Sequence, residues 1–215
     1  MTFVDKSILS VKKVLSLPWQ SQMDSDTDQW ARMCFSSSSA MLCEFLKAGC
    51  LRNHRERRSG EQIDDFYLRK LNELFGDTTN ADKQLDMHRW LGVNTRFRQN
   101  GTRESLEWHI SRNLPVMTGQ LHHNHYTRPN ASKSHWNLCV GYDPAGDCFV
   151  FHDPAGTMDT VGGGYLNNDG KYRKYPWSSW SHRWMADSSG NFVVGTGWMV
   201  VPVTDKATGH YVPLT

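Results

Sequence analysis

Cys34 stands in Trp30-Ala31-Arg32-Met33-Cys34-Phe35-Ser36-Ser37-Ser38-Ser39-Ala40-Met41-Leu42, where a polar loop gives way to a segment of helical period. A sulfur placed there lies at or near a helix N-terminus, whose free N–H groups and positive dipole end favour the thiolate. Thiolates attack carbonyl carbon; thiols do not. Further along, Ser134-His135-Trp136-Asn137-Leu138-Cys139-Val140-Gly141-Tyr142-Asp143 and Phe149-Val150-Phe151-His152-Asp153-Pro154 supply an imidazole and a carboxylate. Such a set suits thiol-based acyl transfer. The sulfur attacks, His135 keeps the proton and later delivers it to the leaving amine, and an acidic group fixes the imidazole tautomer.

These groups meet only if the right elements carry them. Met41, Leu42, Phe45 and Leu46 fall at helical spacing over about 36–48, with Gly49 as the stop. A second helix is signalled by Ser59-Gly60-Glu61-Gln62, a capping-box pattern, and ends at Gly76. A third spans about 81–91 and stops at Gly92, and a fourth starts at Thr102 and ends before Pro115. The second half changes period. Residues 115–120, 135–142, 148–153 and 197–203 read as strands, and Gly146-Asp147 as a tight turn joining two of them. In that hairpin residues near 135–137 oppose residues near 151–154, which sets Asp153 beside His135. Asp143 competes as the orienting carboxylate but sits nearer the turn. Helices followed by an antiparallel sheet make an α+β domain over 17–215, preceded by an arm over 1–16.

Composition narrows the partners. A net charge of +2 gives no case for nucleic acid, and Arg52, Arg55, Arg57 and Arg58 read as a solvated loop at a helix end. No apolar run approaches the roughly 18 residues of a membrane helix. Lys12-Lys13 splits Ile8-Leu9 from Val14-Leu15, so the start lacks a secretory apolar core, and the chain reads as soluble, either cytoplasmic or phage-associated. Cys34, Cys43, Cys50, Cys139 and Cys148 are odd in number and contain no C-x-x-C, which argues against a zinc ribbon and a fully paired disulfide framework. Reduced thiols are expected, with Cys139–Cys148 the one candidate bridge, and Cys43 is read as packing. Gly162-Gly163-Gly164 marks a mobile loop and no phosphate cradle. His122-His123-Asn124-His125 lacks a second ligand pair, so it reads as a polar loop or a groove wall, and neither metal nor cofactor is expected. Trp177, Trp180 and Trp184 form one helical stripe, suited to packing on the sheet or to stacking on sugar rings.

The pattern Gln22…Cys34-x-x-Ser37-Ser38-x-Ala40-Met41, Leu114-Pro115-Val116, His135-Trp136…Val140-Gly141-Tyr142-Asp143 and His152-Asp153-Pro154 resembles the papain-like cysteine peptidases. It is most similar to the branch related to the bacteriocin leader-processing (double-glycine) peptidases, over about residues 17–203. The resemblance implies a papain-like α+β fold, with the nucleophile at a helix start packed on a C-terminal antiparallel sheet. It implies Cys34 as nucleophile, His135 as general base and acid, and Asp153 as orienter. It also implies an upstream glutamine whose amide joins the Cys34 N–H in an oxyanion hole, a role open to Gln22, the favoured candidate, or Gln29. Two departures stand out: Phe35 replaces the glycine that follows the leader peptidases' nucleophile, and no transporter segment is present. Soluble relatives include cell-wall-degrading enzymes of bacteria and phages, so peptidoglycan peptides are the first substrate class expected. A protein precursor, an acyl acceptor other than water, and a silent binding module are the alternatives.

Overall fold

The structure is a computed structural model that describes residues 11–214, so residues 1–10 of the expected arm lie outside the described residues. Helix α1 (Cys34–Leu46) begins with Cys34 itself, after Met33 as N-cap, two residues earlier than the apolar period indicated. The shift follows from the serine run. Ser36, Ser37, Ser38 and Ser39 are all buried, so the first turn is held by tertiary contacts that carry no hydrophobic signal. Helices α2 (Ile63–Leu74) and α3 (Ala81–Trp90) pack on α1 around Ala40, Cys43, Phe66, Leu71 and Met87. Asn80 caps α3 by accepting from Asp82 and Lys83 N–H groups, and Thr102 and Ser105 form a capping box on α4 (Arg103–Ser111). The capping box expected at Ser59–Gln62 does not form. Gln62 is the N-cap without a side-chain bond, and Glu61 instead accepts from the Arg58 N–H and the Arg69 guanidinium.

One seven-stranded antiparallel sheet carries the second half. Its order is β2 (Thr95–Gly101), β9 (Gly197–Pro202), β3 (Val116–Leu121), β4 (Ser134–Asp143), β5 (Cys148–His152), β8 (Arg173–Pro176), while β1 (Lys13–Val14) pairs with the far end of β4. Strands β6 (Thr157–Met158) and β7 (Tyr165–Asn167) make a small second sheet. Strand β2 interrupts the half expected to be helical. Its Arg96 and Arg98 flank a single Phe97, and the strand is mostly exposed or half-buried, so pairing to β9 rather than an apolar pattern makes it a strand.

The β4–β5 hairpin also departs from expectation. Its connection is a 3-10 turn over Pro144–Gly146 followed by Asp147 in the left-handed region (φ 46°), wider than a two-residue turn. A bulge at Val140 then shifts the register, so that Leu138 faces His152. Asp143 caps that turn through the Ala145 N–H and pairs with Lys174, far from His135 along the strand. Helix α5 (Trp177–Trp184) lies on β3 and β8 with Trp180 and Trp184 fully buried, ring to ring at 5.1 Å. Of the two roles open to the tryptophan stripe, packing is the one these rings fill.

Beneath the start of α1, Asp64 on α2 is completely buried. Its Oδ2 accepts from Ser37 Oγ at 2.8 Å and its Oδ1 has no partner. Burial pushes this carboxyl up to about 7, against the Ser37 bond that lowers it and with Asp65 adding to the rise. A carboxyl raised on folding holds its proton more tightly in the folded chain, so stability falls as pH climbs from about 4 through about 7. Asp64→Asn is therefore expected to raise Tm at pH 8 by about 2–8 °C, for roughly 1–2 kcal/mol recovered. The gain should vanish near pH 4. An equal shift at both pH values in differential scanning calorimetry would contradict a buried ionised carboxylate as its source.

Candidate active site

His135, the second residue of β4, and Asp153, just past β5, form a buried polar pair. His135 Nε2 lies 2.8 Å from Asp153 Oδ1, and both residues are buried. Further donors lock the carboxylate: the Ala155 N–H at 3.1 Å on Oδ1, and the Tyr175 hydroxyl at 3.1 Å on Oδ2. Its backbone is anchored too, with the Asp153 N–H donating to Gly170 O and Trp19 Nε1 donating to Asp153 O. Gly170 has to be glycine, because a Cβ there would stand 1.8 Å from Asp153 O. An acceptor-only carboxylate on Nε2 fixes the proton at that nitrogen, which leaves Nδ1 for the sulfur of Cys34, hydrogen-bonded to the same ring.

The electrostatics single out one sulfur among five. Burial of Cys34 opposes the thiolate. The charge of His135, its hydrogen bond and a backbone bond from Trp136 outweigh that burial and the repulsion of Asp153, and they hold the thiol below its ordinary 9.0. Burial pushes Cys50 and Cys139 up to about 12, and raises Cys43 and Cys148 as well. All five are free thiols, including the Cys139 and Cys148 of the candidate bridge. His135 moves the opposite way. Burial disfavours its cation, but Asp153 and Cys34 push it up to about 10. Cys34 and His135 are thus arranged as a thiolate–imidazolium pair.

Gln22 and Gln29 part company. Gln22 is buried in a 3-10 turn (Gln22–Asp24) whose backbone bonds Pro154 O, so the Asp153–Pro154 corner holds it. Its Nε2 donates to Trp30 O, in the turn that leads into Cys34, and its Oε1 has no partner. Gln29 is half-exposed and turned toward α2, where its Oε1 meets Asn72 Nδ2 at 3.4 Å.

A model of the Peptidase_C39 like family matches residues 14–189. The chain belongs to that family. It is a cysteine peptidase of the papain-like type. A crystal structure from Bacillus anthracis, described as a C39-like peptidase, matches with a TM-score of 0.52 at 14% identity, covering 91% of this chain and all of that one, and so shares the α+β fold. Among curated proteins none matches.

The wall around the peptidase's His135 joins His122, from the segment that the sequence left open as a groove wall, to Tyr165, which sequence reasoning missed. His122 and Tyr165 each lie 5.5 Å, ring to ring, from His135. The histidine cluster does not act as a unit: burial keeps His122 neutral, down to about 3, while His125 Nδ1 bonds Thr127. Among the described residues no group of three or more His, Cys, Asp or Glu is placed to hold a metal ion. The loop expected to be mobile at Gly162–Gly164 is stitched to this wall by Gly164 N–H to His122 O at 2.6 Å and Tyr126 N–H to Val161 O at 2.9 Å. Arg183 of α5, fully buried, spends its guanidinium on Leu121, Asn124, Thr160 and Val161 carbonyls, tying both loops together. Neither Tyr175 nor Arg183 carries a local sequence signal, since each acts across many residues.

Proposed function

We propose that Cys34 is the nucleophile, His135 the general base and acid, and Asp153 the orienting carboxylate of this peptidase. Gln22, with the Cys34 N–H, forms the oxyanion site. The observation that carries this is the shared imidazole: one ring bonds the one sulfur whose thiolate is favoured and a fully buried carboxylate that also accepts from Ala155 N–H and the Tyr175 hydroxyl. The thiolate attacks the scissile carbonyl and the oxyanion develops against the helix start and the Gln22 amide. His135 passes its proton to the leaving amine, which departs and leaves a thioester on Cys34. The now neutral imidazole takes a proton from water, hydroxide adds to the thioester, and the acid leaves as the thiolate re-forms.

Peptidoglycan stem or cross-bridge peptides are the proposed substrates. The cleft at Cys34, about 220 Å³, is lined by Arg32 and Thr79 as well as Phe35 and Trp136, which gives a peptide with free carboxylates a cation and a hydroxyl to meet. Incubation of the protein with purified peptidoglycan and, separately, with a denatured protein, followed by mass spectrometry of the released fragments, decides between the two substrates. Cell-wall peptides are expected among the products. Release from denatured protein alone would move the assignment to a precursor-processing peptidase.

A further inference from the structure

A second cleft, about 420 Å³, opens beside the first, and the two share Ser134 and Trp136 as a common rim. Its base is a row across three strands. Trp136 of β4 pairs with Gly119 of β3, which pairs with Trp198 of β9. Neighbours in register project from the same face of a sheet, so two indoles flank a residue with no side chain. A Cβ on Gly119 would crowd the Trp136 ring, at 3.0–3.2 Å. The Trp136 ring leans over Gly119, and the cleft opens beside it along Trp198.

Rings wall the slot on one side, and Trp198 faces solvent on the other. Phe35, next to the nucleophile, stacks on Trp136 at 4.1 Å and 15°, and Phe97 sets its edge against Trp198 at 5.9 Å. Trp136 is buried, at 8% exposure, whereas Trp198 remains 45% exposed, and Trp184 closes the back and donates its Nε1–H to Trp198 O. The rim is polar. Gln99, Ser134 and Ser188 line it, and among the described residues their side chains make no hydrogen bond within the protein. Its two charged residues are committed elsewhere. Arg183 is spent on four carbonyls, and the Asp187 carboxylate accepts from the Ser189 and Asn191 N–H groups and Asn191 Nδ2. The slot thus offers the exposed face of Trp198, the rim of Trp136 and neutral hydrogen-bonding groups, with no ion to pair.

We propose that the Trp136–Gly119–Trp198 slot binds a neutral sugar ring attached to the peptide that Cys34 cleaves. A pyranose presents a face of C–H groups to an indole and hydroxyl and amide groups to the rim. A charged side chain would lose its hydration there for no partner, and an apolar side chain would leave the rim unpaired. Continuity across Ser134 and Trp136 places the ring on the same ligand as the scissile bond. This inference rests on the peptidoglycan-peptide assignment, and Phe35 gives it a reason particular to this chain, since it props the wall common to both clefts.

The test uses full-length Cys34→Ala protein, which needs no turnover, and isothermal titration calorimetry. The probes are an N-acetylmuramyl peptide, the same peptide bearing only an acetyl group, and that acetyl peptide with phenylalanine added at its N-terminus. The sugar-bearing probe is expected to bind about 10-fold more tightly than the acetyl peptide, for a ring face taken out of water. In the Cys34→Ala background, Trp198→Ala should bring that ratio close to 1, and its fold is checked by its melting curve. Gly119→Ala, which crowds the Trp136 ring, should do the same. Equal affinity for sugar-bearing and acetyl probes, tighter binding of the phenylalanine probe, or a sugar preference that survives Trp198→Ala would each overturn the proposal. Sugar-dependent binding without cleavage by wild type would instead count against the peptidoglycan hydrolase assignment and leave the slot standing.

Discussion

Replacing Cys34 with alanine is expected to reduce peptide hydrolysis by about 10⁴-fold or more, because no other group can form the thioester. The thiol chemistry should change in step. Wild type is expected to show one fast alkylation by iodoacetamide whose acid limb lies below the ordinary thiol value of 9.0, because His135 stabilises the Cys34 thiolate against its burial. Cys34→Ala should lose that fast phase and keep only slow reaction, since the remaining four thiols are all raised. The sign of the pH profile follows. Activity rises with pH as Cys34 ionises, and it falls toward about 10 as His135 loses the proton that the leaving amine needs. Measured turnover equal in wild type and Cys34→Ala would remove Cys34 from the mechanism.

His135→Ala carries the second large effect, a fall of about 10³–10⁴-fold, because the thiolate loses its counter-cation and the leaving amine its proton donor. Asp153→Ala should cost less, on the order of 10²–10³-fold, because Asp153 acts through the imidazole and never touches the reacting atoms. Its signature lies in the pH profile. Asp153 is the chief upward influence on His135 once burial is set aside, so Asp153→Asn should move the alkaline limb down from about 10. Stopped-flow hydrolysis from pH 5 to 11 reads both numbers. An alkaline limb unmoved by Asp153→Asn would show that the 2.8 Å contact does not set the protonation of His135.

Much of this site can be read before any coordinates exist, and the failures are instructive. Cys34 is legible because a polar loop meets a helical period there, and His135 because strands alternate sides. The juxtaposition with Asp153 was reached with an imperfect register. The Val140 bulge and the longer 3-10 connection both displace the pairing, yet Asp153 still arrives at Nε2 because its own backbone is fixed by Gly170 and Trp19. Strand β2 was not legible, since an edge strand of alternating arginines has little apolar signal to give. Nor was the order of the Gly162–Gly164 loop. Glycines report conformational freedom in the chain, whereas the bonds to His122 and Tyr126 that remove it come from a distant segment.

The choice between Gln22 and Gln29 shows the same division. Spacing from Cys34 left both in play, because a loop of that length can bring either side chain to the helix start. Contact with the Pro154 corner buries Gln22, and Asn72 draws Gln29 away. Local patterns alone, then, specify a cysteine at a helix start, a histidine on a strand and the α+β class, because capping, period and alternation act between near neighbours. The partners of those groups belong to the tertiary structure: which carboxylate holds His135, which glutamine is buried against the Pro154 corner, which thiol of five is favoured as a thiolate, and the indole slot beside it. Each depends on desolvation and on contacts between segments far apart in the chain, and neither quantity exists until the sheet and α1 close on one another.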